Sequence, residues 1–286
     1  MRQAGDLARG ATAYVTLEPC SHTGKTPPCA NALIDAGVAE VICAMVDPNP
    51  QVAGQGLARL QAASIHTAHG LLGEQAQALN RGFLSRIQRK RPFLTLKLAA
   101  SLDGKTALAN GDSQWITGAA ARADVHKERA ARNAIITGSG TVLADNPQLN
   151  VRGVACLKQP VRVVLDRHLR SPATAQIFDT SLAPTWLFTT AEQDTSAYSA
   201  RGVRCFVWEA PQAADSLKFI LHTLAQEGIN EVWVEAGATL SAAFMQQDCV
   251  DDLVLYQAPK ILGKHAMDLL HLQADAQVLA HESPWQ

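Results

Sequence analysis

The sequence has no run of about 18 uncharged apolar residues, the length a membrane-spanning helix needs, so no membrane span is expected. Its opening segment, MRQAGDLARG, carries no apolar stretch of the kind found in a secretory leader. Cysteine is sparse: six in 286 residues is too few for a disulfide scaffold. A reducing, cytoplasmic setting is therefore expected. Charge of one sign is also lacking. The chain has 25 Lys and Arg against 26 Asp and Glu, a formal net charge of -1, and no basic block. Without a clustered positive surface, a nucleic-acid partner is not expected. There is no internal repeat and no low-complexity tract.

What is there is an ordinary globular composition, 47% hydrophobic and 18% charged, long enough for one large or two modest domains. Short apolar runs alternate with amphipathic stretches. ATAYVTL reads as a strand, CANALIDAG as a short helix closed by Gly37, and EVICAMV as a second strand. GQGLARLQAA is a second helix, HTAHG follows it, and Gly73 to Gln88 is a third helical pattern. This order implies a largely parallel sheet covered by helices. The stretch QRKRP reads as a solvated hinge and places a domain boundary near Arg89 to Pro92. Beyond it, strands are predicted at Phe93–Ala99, Asn133–Gly138, Val161–Asp166, Thr185–Thr190, Arg204–Val207, Glu231–Glu235 and Leu253–Ala258. Helices are predicted at Ala119–Ala131, Ser216–Glu227 and Leu240–Gln247.

LEPCSHTGKTPPC, residues 17–29, sets two cysteines after prolines at a strand end and a helix start. Thiolates are strong zinc ligands, and a helix start favours the thiolate form. On spacing alone the pair reads equally well as two buried, unreactive cysteines. Residues 16–56, TLEPCSHTGKTPPCANALIDAGVAEVICAMVDPNPQVAGQG, closely resemble the zinc-dependent pyrimidine deaminase domain of the bifunctional riboflavin-biosynthesis deaminase/reductases. The resemblance implies that Cys20 and Cys29 are zinc ligands and that His22, Lys25 and Thr26 face the substrate's phosphoribosyl part. In that family a His-Ala-Glu motif supplies the third ligand and the proton-shuttling Glu. It would fall ahead of Arg2-Gln3-Ala4-Gly5, which here follow Met1. The zinc site is thus expected to be incomplete, with the family's first strand and first helix also absent and deamination doubtful. None of the nine histidines replaces the missing ligand. At the other end, a terminal strand of the family is expected to be missing after PWQ.

In the second half, IITGSGTVLADNP and VWVEAGATLSAAF each read as a strand, a glycine turn and a helix start, where backbone amides can meet a phosphate. Each motif alone is weak, and a plain strand–turn–helix explains either. Two charges are conspicuous in apolar strands: Lys97 in LTLKLAA and Glu235 at the end of EVWVE. A buried charge needs a partner, so the two are expected close together at a catalytic centre. Cys43, Cys156, Cys205 and Cys249 have no partner spacing and are read as structural.

FLTLKLAASLDGKTALANGDSQWITG resembles the opening of the reductase domain of the same family, which is similar to dihydrofolate reductase. The resemblance runs from Pro92 to about Gly263. It implies that Ala99, Trp115, Thr141, Asp145, Arg167 and the run Gly237, Ala238, Thr239, Leu240, Ser241, Ala242, Ala243 contact NADPH. It implies that Ser113, Arg129, Leu149, Arg152 and Glu235 contact substrate, the two arginines suiting a ribose phosphate. Arg129 also reads as one charge on the helix face RADVHKERAAR, and Trp115 as ordinary core. Arg167, after the strand VRVVLD, is expected at the cofactor's 2'-phosphate.

The expected fold is α/β in two domains, a partial cytidine-deaminase-like three-layer domain over 1–90 and a dihydrofolate-reductase-like domain over 91–286. The expected function is in riboflavin biosynthesis, as an NADPH-dependent reductase of a phosphorylated ribosylaminopyrimidine, acting as a homo-oligomer. The rival readings are a related reductase of another substrate and a non-catalytic, zinc-binding or oligomerising first domain.

Overall fold

A computed structural model of the chain describes residues 3–24, 26–50, 52–112, 116–190, 192–208 and 213–272. It contains two compact units, Met1–Lys90 and Arg91–Gln286.

The smaller unit is built on three parallel strands, β1 (Thr12–Val15), β2 (Glu40–Cys43) and β3 (His66–His69), in that order. Helices α1 (Cys29–Ala36) and α2 (Gln55–Ala62) make the crossovers. Ala30 and Leu33 of α1 meet Leu60 of α2 and Val41 of β2 in a small core with Val38 and Ile65. Gly37 closes α1 in the left-handed region, at φ 68°, where a side chain would be strained. The predicted single helix over 73–88 divides into α3 (Gly73–Leu79), α4 (Arg81–Leu84) and a wider turn over Ser85–Arg89. The break is at Asn80. Its side-chain Nδ2 donates to the Ala76 carbonyl at 2.8 Å, competing with the helix's own ladder.

The larger unit is a seven-stranded, all-parallel sheet. Its strands are β4 (Phe93–Ser101), β6 (Ala134–Gly138), β7 (Val161–Leu165), β8 (Thr185–Thr190), β9 (Arg204–Trp208), β10 (Glu231–Glu235) and β11 (Asp252–Ala258). A separate antiparallel pair joins β5 (Lys105–Ala107) to β12 (Met267–Asp268), an element the sequence reading missed because each strand is too short for a period to show. Among the described residues five α-helices accompany the sheet: α5 (Ala119–Ala130), α6 (Ser139–Asp145), α7 (Ser196–Ser199), α8 (Ala213–Gln226) and α9 (Ala238–Gln246).

The strand order is β11-β4-β10-β6-β7-β8-β9. Parallel strands covered on both faces read as continuous apolar runs, and β4, β6, β7 and β10 do. Side chains still alternate between faces. Leu94, Leu96 and Leu98 of β4 pack with Val232 and Val234 of β10, Leu221 and Leu224 of α8, and Phe244 of α9. Trp233 of β10 falls on the other face, with Ile135, Phe178, Leu187 and Tyr198. Lys97 and Glu235 belong to that second face by the same alternation. Because β10 enters between β4 and β6, the chain reverses its direction of travel across the sheet at this point. A crevice at the carboxyl ends of the strands is the usual consequence of such a reversal. Among the described residues no helix is long and apolar enough to cross a membrane.

Candidate active site

The crevice is a cavity of about 580 Å³ at the C-terminal ends of β4 and β10. Glu235 lies at its floor, its side chain 13% exposed. Arg129 of α5 donates to it twice, Nε to Oε1 at 2.6 Å and Nη2 to Oε2 at 3.0 Å. The Trp233 indole N–H adds a third hydrogen bond at 3.0 Å. Burial pushes the Glu235 carboxyl up. The Arg129 charge and hydrogen bonds, the Lys97 charge and the indole together outweigh it, so the net shift is downward and the group is ionised. Lys97 is the register partner of Glu235 across β4 and β10 and lines the cavity beside it. Asp145, also on the wall, has its carboxyl raised by burial, opposed by the Lys97 charge.

This corrects one expectation. Arg129 is not an uncommitted phosphate fork, because its guanidinium is taken up by Glu235 and by the Asn150 carbonyl at 3.1 Å. Arg152 is differently placed. It lines the cavity, and its side chain donates to the amide oxygens of Asn150 and Gln148, the latter at 3.0 Å. Both acceptors are neutral, and among the described residues Arg152 has no carboxylate partner. Its segment includes a residue in the left-handed region and is held by a buried cation. Leu149 sits at φ 46°. Arg162 of β7, fully buried, donates to the carbonyls of Gln148, Asp179 and Ala183 and to the Thr185 hydroxyl, and burial pushes its pKa down to about 10 against the pull of Asp179.

The other site residues read from the sequence fall into two groups. Ala99, Thr141, Leu149, Gly237 and Ala238 line the cavity. Gly237 opens α9, and a Cβ placed there would meet nothing within 4 Å, so its backbone faces open space. The remainder of that run turns inward. Ser241 and Ala242 are buried in the core, and the Ser241 hydroxyl is bonded to the Ala236 carbonyl at 3.2 Å. Leu240 and Ala243 pack on the same core, with Leu240 Cδ2 3.0 Å from where a Gly138 Cβ would stand. Thr239 exchanges a hydrogen bond with His271 at 3.0 Å. Of the seven consecutive positions, the two at the helix's start, Gly237 and Ala238, line the cavity, since a helix shows only one side to it. Arg167 is exposed, and among the described residues only its carbonyl is engaged, by Thr189 and Thr190. Ser113 and Trp115 lie outside the described residues, as does Lys25. Arg122, His126, Gln148 and Gln176 line the same cavity and were not singled out from the sequence. The i, i+4, i+7 spacing of Arg122, His126 and Arg129 was the available signal.

In the smaller unit Cys20 and Cys29 are neighbours: the Cys29 main-chain N donates to Cys20 Sγ at 3.3 Å. Burial, then the adjoining Cys20, pushes the Cys29 thiol up, opposite to the direction expected of a helix start. His22 and Thr26 are in the connecting loop, and Thr26 is exposed. The dominant feature there is Glu18, which is 4% exposed and accepts from four main-chain N–H groups. Oε2 takes Asp47 at 3.1 Å and Gly54 at 2.9 Å, and Oε1 takes Gly56 at 2.9 Å and Leu57 at 3.3 Å. Among the described residues no group of three or more His, Cys, Asp or Glu is placed to hold a metal ion.

Residues 92–281 match the family of the RibD C-terminal domain. The riboflavin biosynthesis protein RibD of Haemophilus influenzae is 46% identical over 298 residues, spanning 100% of this chain and 78% of that protein. The structure of Acinetobacter baumannii RibD is similar with a TM-score of 0.88 at 43% identity, covering 98% of this chain and 77% of that one. A diaminohydroxyphosphoribosylaminopyrimidine deaminase/5-amino-6-(5-phosphoribosylamino)uracil reductase from Thermotoga maritima gives 0.82 at 35% identity, covering 96% and 75%.

Proposed function

This chain belongs to the RibD family of riboflavin-biosynthesis deaminase/reductases, and from that premise we propose that its larger unit reduces the ribosyl group of 5-amino-6-(5-phosphoribosylamino)uracil to ribityl with NADPH. The observation that carries the proposal is the pairing of Glu235 with Arg129 beside Lys97, in a cavity that also holds Arg152, which has no carboxylate partner among the described residues. A fixed anion, a nearby ammonium and an uncompensated guanidinium suit a polyhydroxylated, phosphorylated ligand.

NADPH would supply, when bound, the hydride for C1' of the ring-opened imine, with the proton on nitrogen coming from water. Glu235 is held rigid and ionised, so it accepts a sugar hydroxyl without reorganising. Lys97 donates to a sugar oxygen and steadies negative charge there as the ring opens. Arg152 takes the 5'-phosphate, for which a guanidinium fork is well matched. Ala99, Thr141, Asp145, Gly237 and Ala238 are the positions proposed for the cofactor. Support for this is the open space over Gly237, where a Cβ would meet nothing within 4 Å and the backbone is accessible. Ser113 and Trp115 remain part of the proposal on the family resemblance alone, and Lys25 with them for the smaller unit.

Zinc is a different case. Cys20 and Cys29 supply two of the four donors a zinc ion takes, and the described residues offer no third. The donor set does not fit a zinc ion by itself. We extend the proposal to a homo-oligomer. Among the described residues β11 is an edge strand, on which Leu253 and Leu255 are 37% and 48% exposed, and such an edge is normally covered.

The test is to supply the purified protein with the phosphoribosylaminouracil and NADPH. NADPH should be consumed and a product heavier by the mass of H2 should form. Failure to form it, or equal reduction of a dihydropteridine, overturns the proposal.

A further inference from the structure

The proposed mechanism leaves His126 unused, though it is the imidazole of the cavity wall. It lies one turn after Arg122 and one turn before Arg129 on α5. The main-chain N–H of Arg152 donates to its Nδ1 at 3.2 Å. A main-chain N–H can only donate, so Nδ1 is an acceptor and the ring proton of the neutral form resides on Nε2. Among the described residues nothing takes up Nε2.

The surroundings keep the ring neutral. Burial comes first, then the Arg129 and Arg152 charges, and together they hold its pKa below the ordinary value against the opposing pull of Glu235. Arg122, from the same helix, adds a further positive neighbour on the wall. A protonated imidazole here would repel the guanidiniums. A neutral one adds a donor without adding charge.

We infer that His126 is a substrate-binding residue, donating from Nε2 to the phosphate that Arg152 holds. This rests on the proposed reading that the substrate carries a 5'-phosphate. A monoester phosphate presents three terminal oxygens, more than one guanidinium fork can satisfy. The Arg152 N–H in turn fixes the ring, so the cation and the neutral donor are held in one arrangement. Recognition would therefore favour a phosphate over a carboxylate, which has only two oxygens to offer.

The experiment measures binding rather than turnover, by titration calorimetry with ribose 5-phosphate and, separately, NADPH. His126→Leu should weaken ribose 5-phosphate binding on the order of tenfold, the effect of losing one hydrogen bond to a charged group, and leave NADPH binding unchanged. His126→Gln should restore most of the affinity, because an amide supplies both an acceptor for the Arg152 N–H and a donor for phosphate. Wild-type affinity in His126→Leu, an equal loss of NADPH binding, or no ribose 5-phosphate binding by the wild type would each overturn the inference. A protein that binds ribose 5-phosphate in a His126-dependent way yet does not oxidise NADPH with the pyrimidine would overturn the reductase proposal and leave this one standing.

Discussion

Glu18 in the smaller unit and Glu235 in the larger are both withdrawn from solvent, and they are satisfied in opposite ways. Glu18 is caged by four main-chain N–H groups drawn from residues 47 to 57. Glu235 is held by side chains, a guanidinium and an indole, at the floor of a cavity. Backbone donors cannot move without moving the fold, so Glu18 serves as a clamp that shapes the loop leading to Cys20. Side-chain donors occupy both sites of Glu235 Oε1 and one of Oε2, which leaves one lone pair, on Oε2, open to a ligand. The same functional group is structural in one unit and, on the proposed reading, chemical in the other, according to what satisfies it.

The largest effect that would test this contrast is in the smaller unit. A Cβ on Gly56 would stand 1.8 Å from the Pro19 carbonyl oxygen and 3.2 Å from Glu18 Oε1. Gly56→Ala should therefore displace the clamp and destabilise the smaller unit by about 4 kcal/mol or more, in the range reserved for severe core strain. Denaturant unfolding should show an early transition, while NADPH oxidation by the larger unit continues. Coincident loss of both would mean that the two carboxylates are not separable.

Next comes removal of the cation beside Glu235. Arg129→Met leaves a buried carboxylate with only the Trp233 indole as donor, a change of the kind that costs about 3–5 kcal/mol. Chemical denaturation should register it in the larger unit, with the smaller unit's transition unmoved.

A smaller effect follows from titration. The Glu235 carboxyl is depressed in the folded state relative to its ordinary value of 4.5. The unfolded chain then binds more protons between the two values, so this group's contribution is fully present above the ordinary value. It is lost as pH falls through the folded value. Melting temperatures of the wild type and Glu235→Gln should differ by a constant amount near neutrality and converge only in acid. Convergence above pH ~6, well over the ordinary carboxylate range, would show that the carboxyl is not depressed.

The smallest effect belongs to Glu227, which Arg204 grips at 2.6 Å and 2.6 Å, as closely as Arg129 grips Glu235. Its side chain is 30% exposed and that of Arg204 51%. Solvent screening should reduce Arg204→Ala to below about 1 kcal/mol in thermal unfolding, apart from any stacking lost against Trp186 and Phe206. A loss matching that of Arg129→Met would show that burial is not what separates the two pairs.

Much of the larger unit was legible in the sequence because buried parallel strands announce themselves as apolar runs, and Lys97 and Glu235 stood out as interruptions. What was not legible is the insertion of β10 between β4 and β6. That placement brings Glu235 under α5 and commits Arg129 to it, and no local pattern records it. The cage around Glu18 was hidden for a similar reason: its donors are backbone groups far along the chain, and any residue has an N–H. The division of labour between the two arginines was likewise invisible, since both stand in polar surroundings in the sequence and only the partners distinguish them.

Arg129 is proposed to serve the catalytic carboxylate while Arg152 serves the substrate's phosphate. Single-turnover NADPH oxidation, measured across substrate concentration for Glu235→Gln and Arg152→Ala, tests it most directly. Glu235→Gln should lower the saturating rate on the order of a hundredfold, the effect of losing one preorganised electrostatic contact. Arg152→Ala should instead raise the substrate concentration needed for half-saturation by at least about tenfold, with the saturating rate largely kept. A near-normal saturating rate in folded Glu235→Gln, or a loss of rate rather than affinity in Arg152→Ala, would contradict the claim.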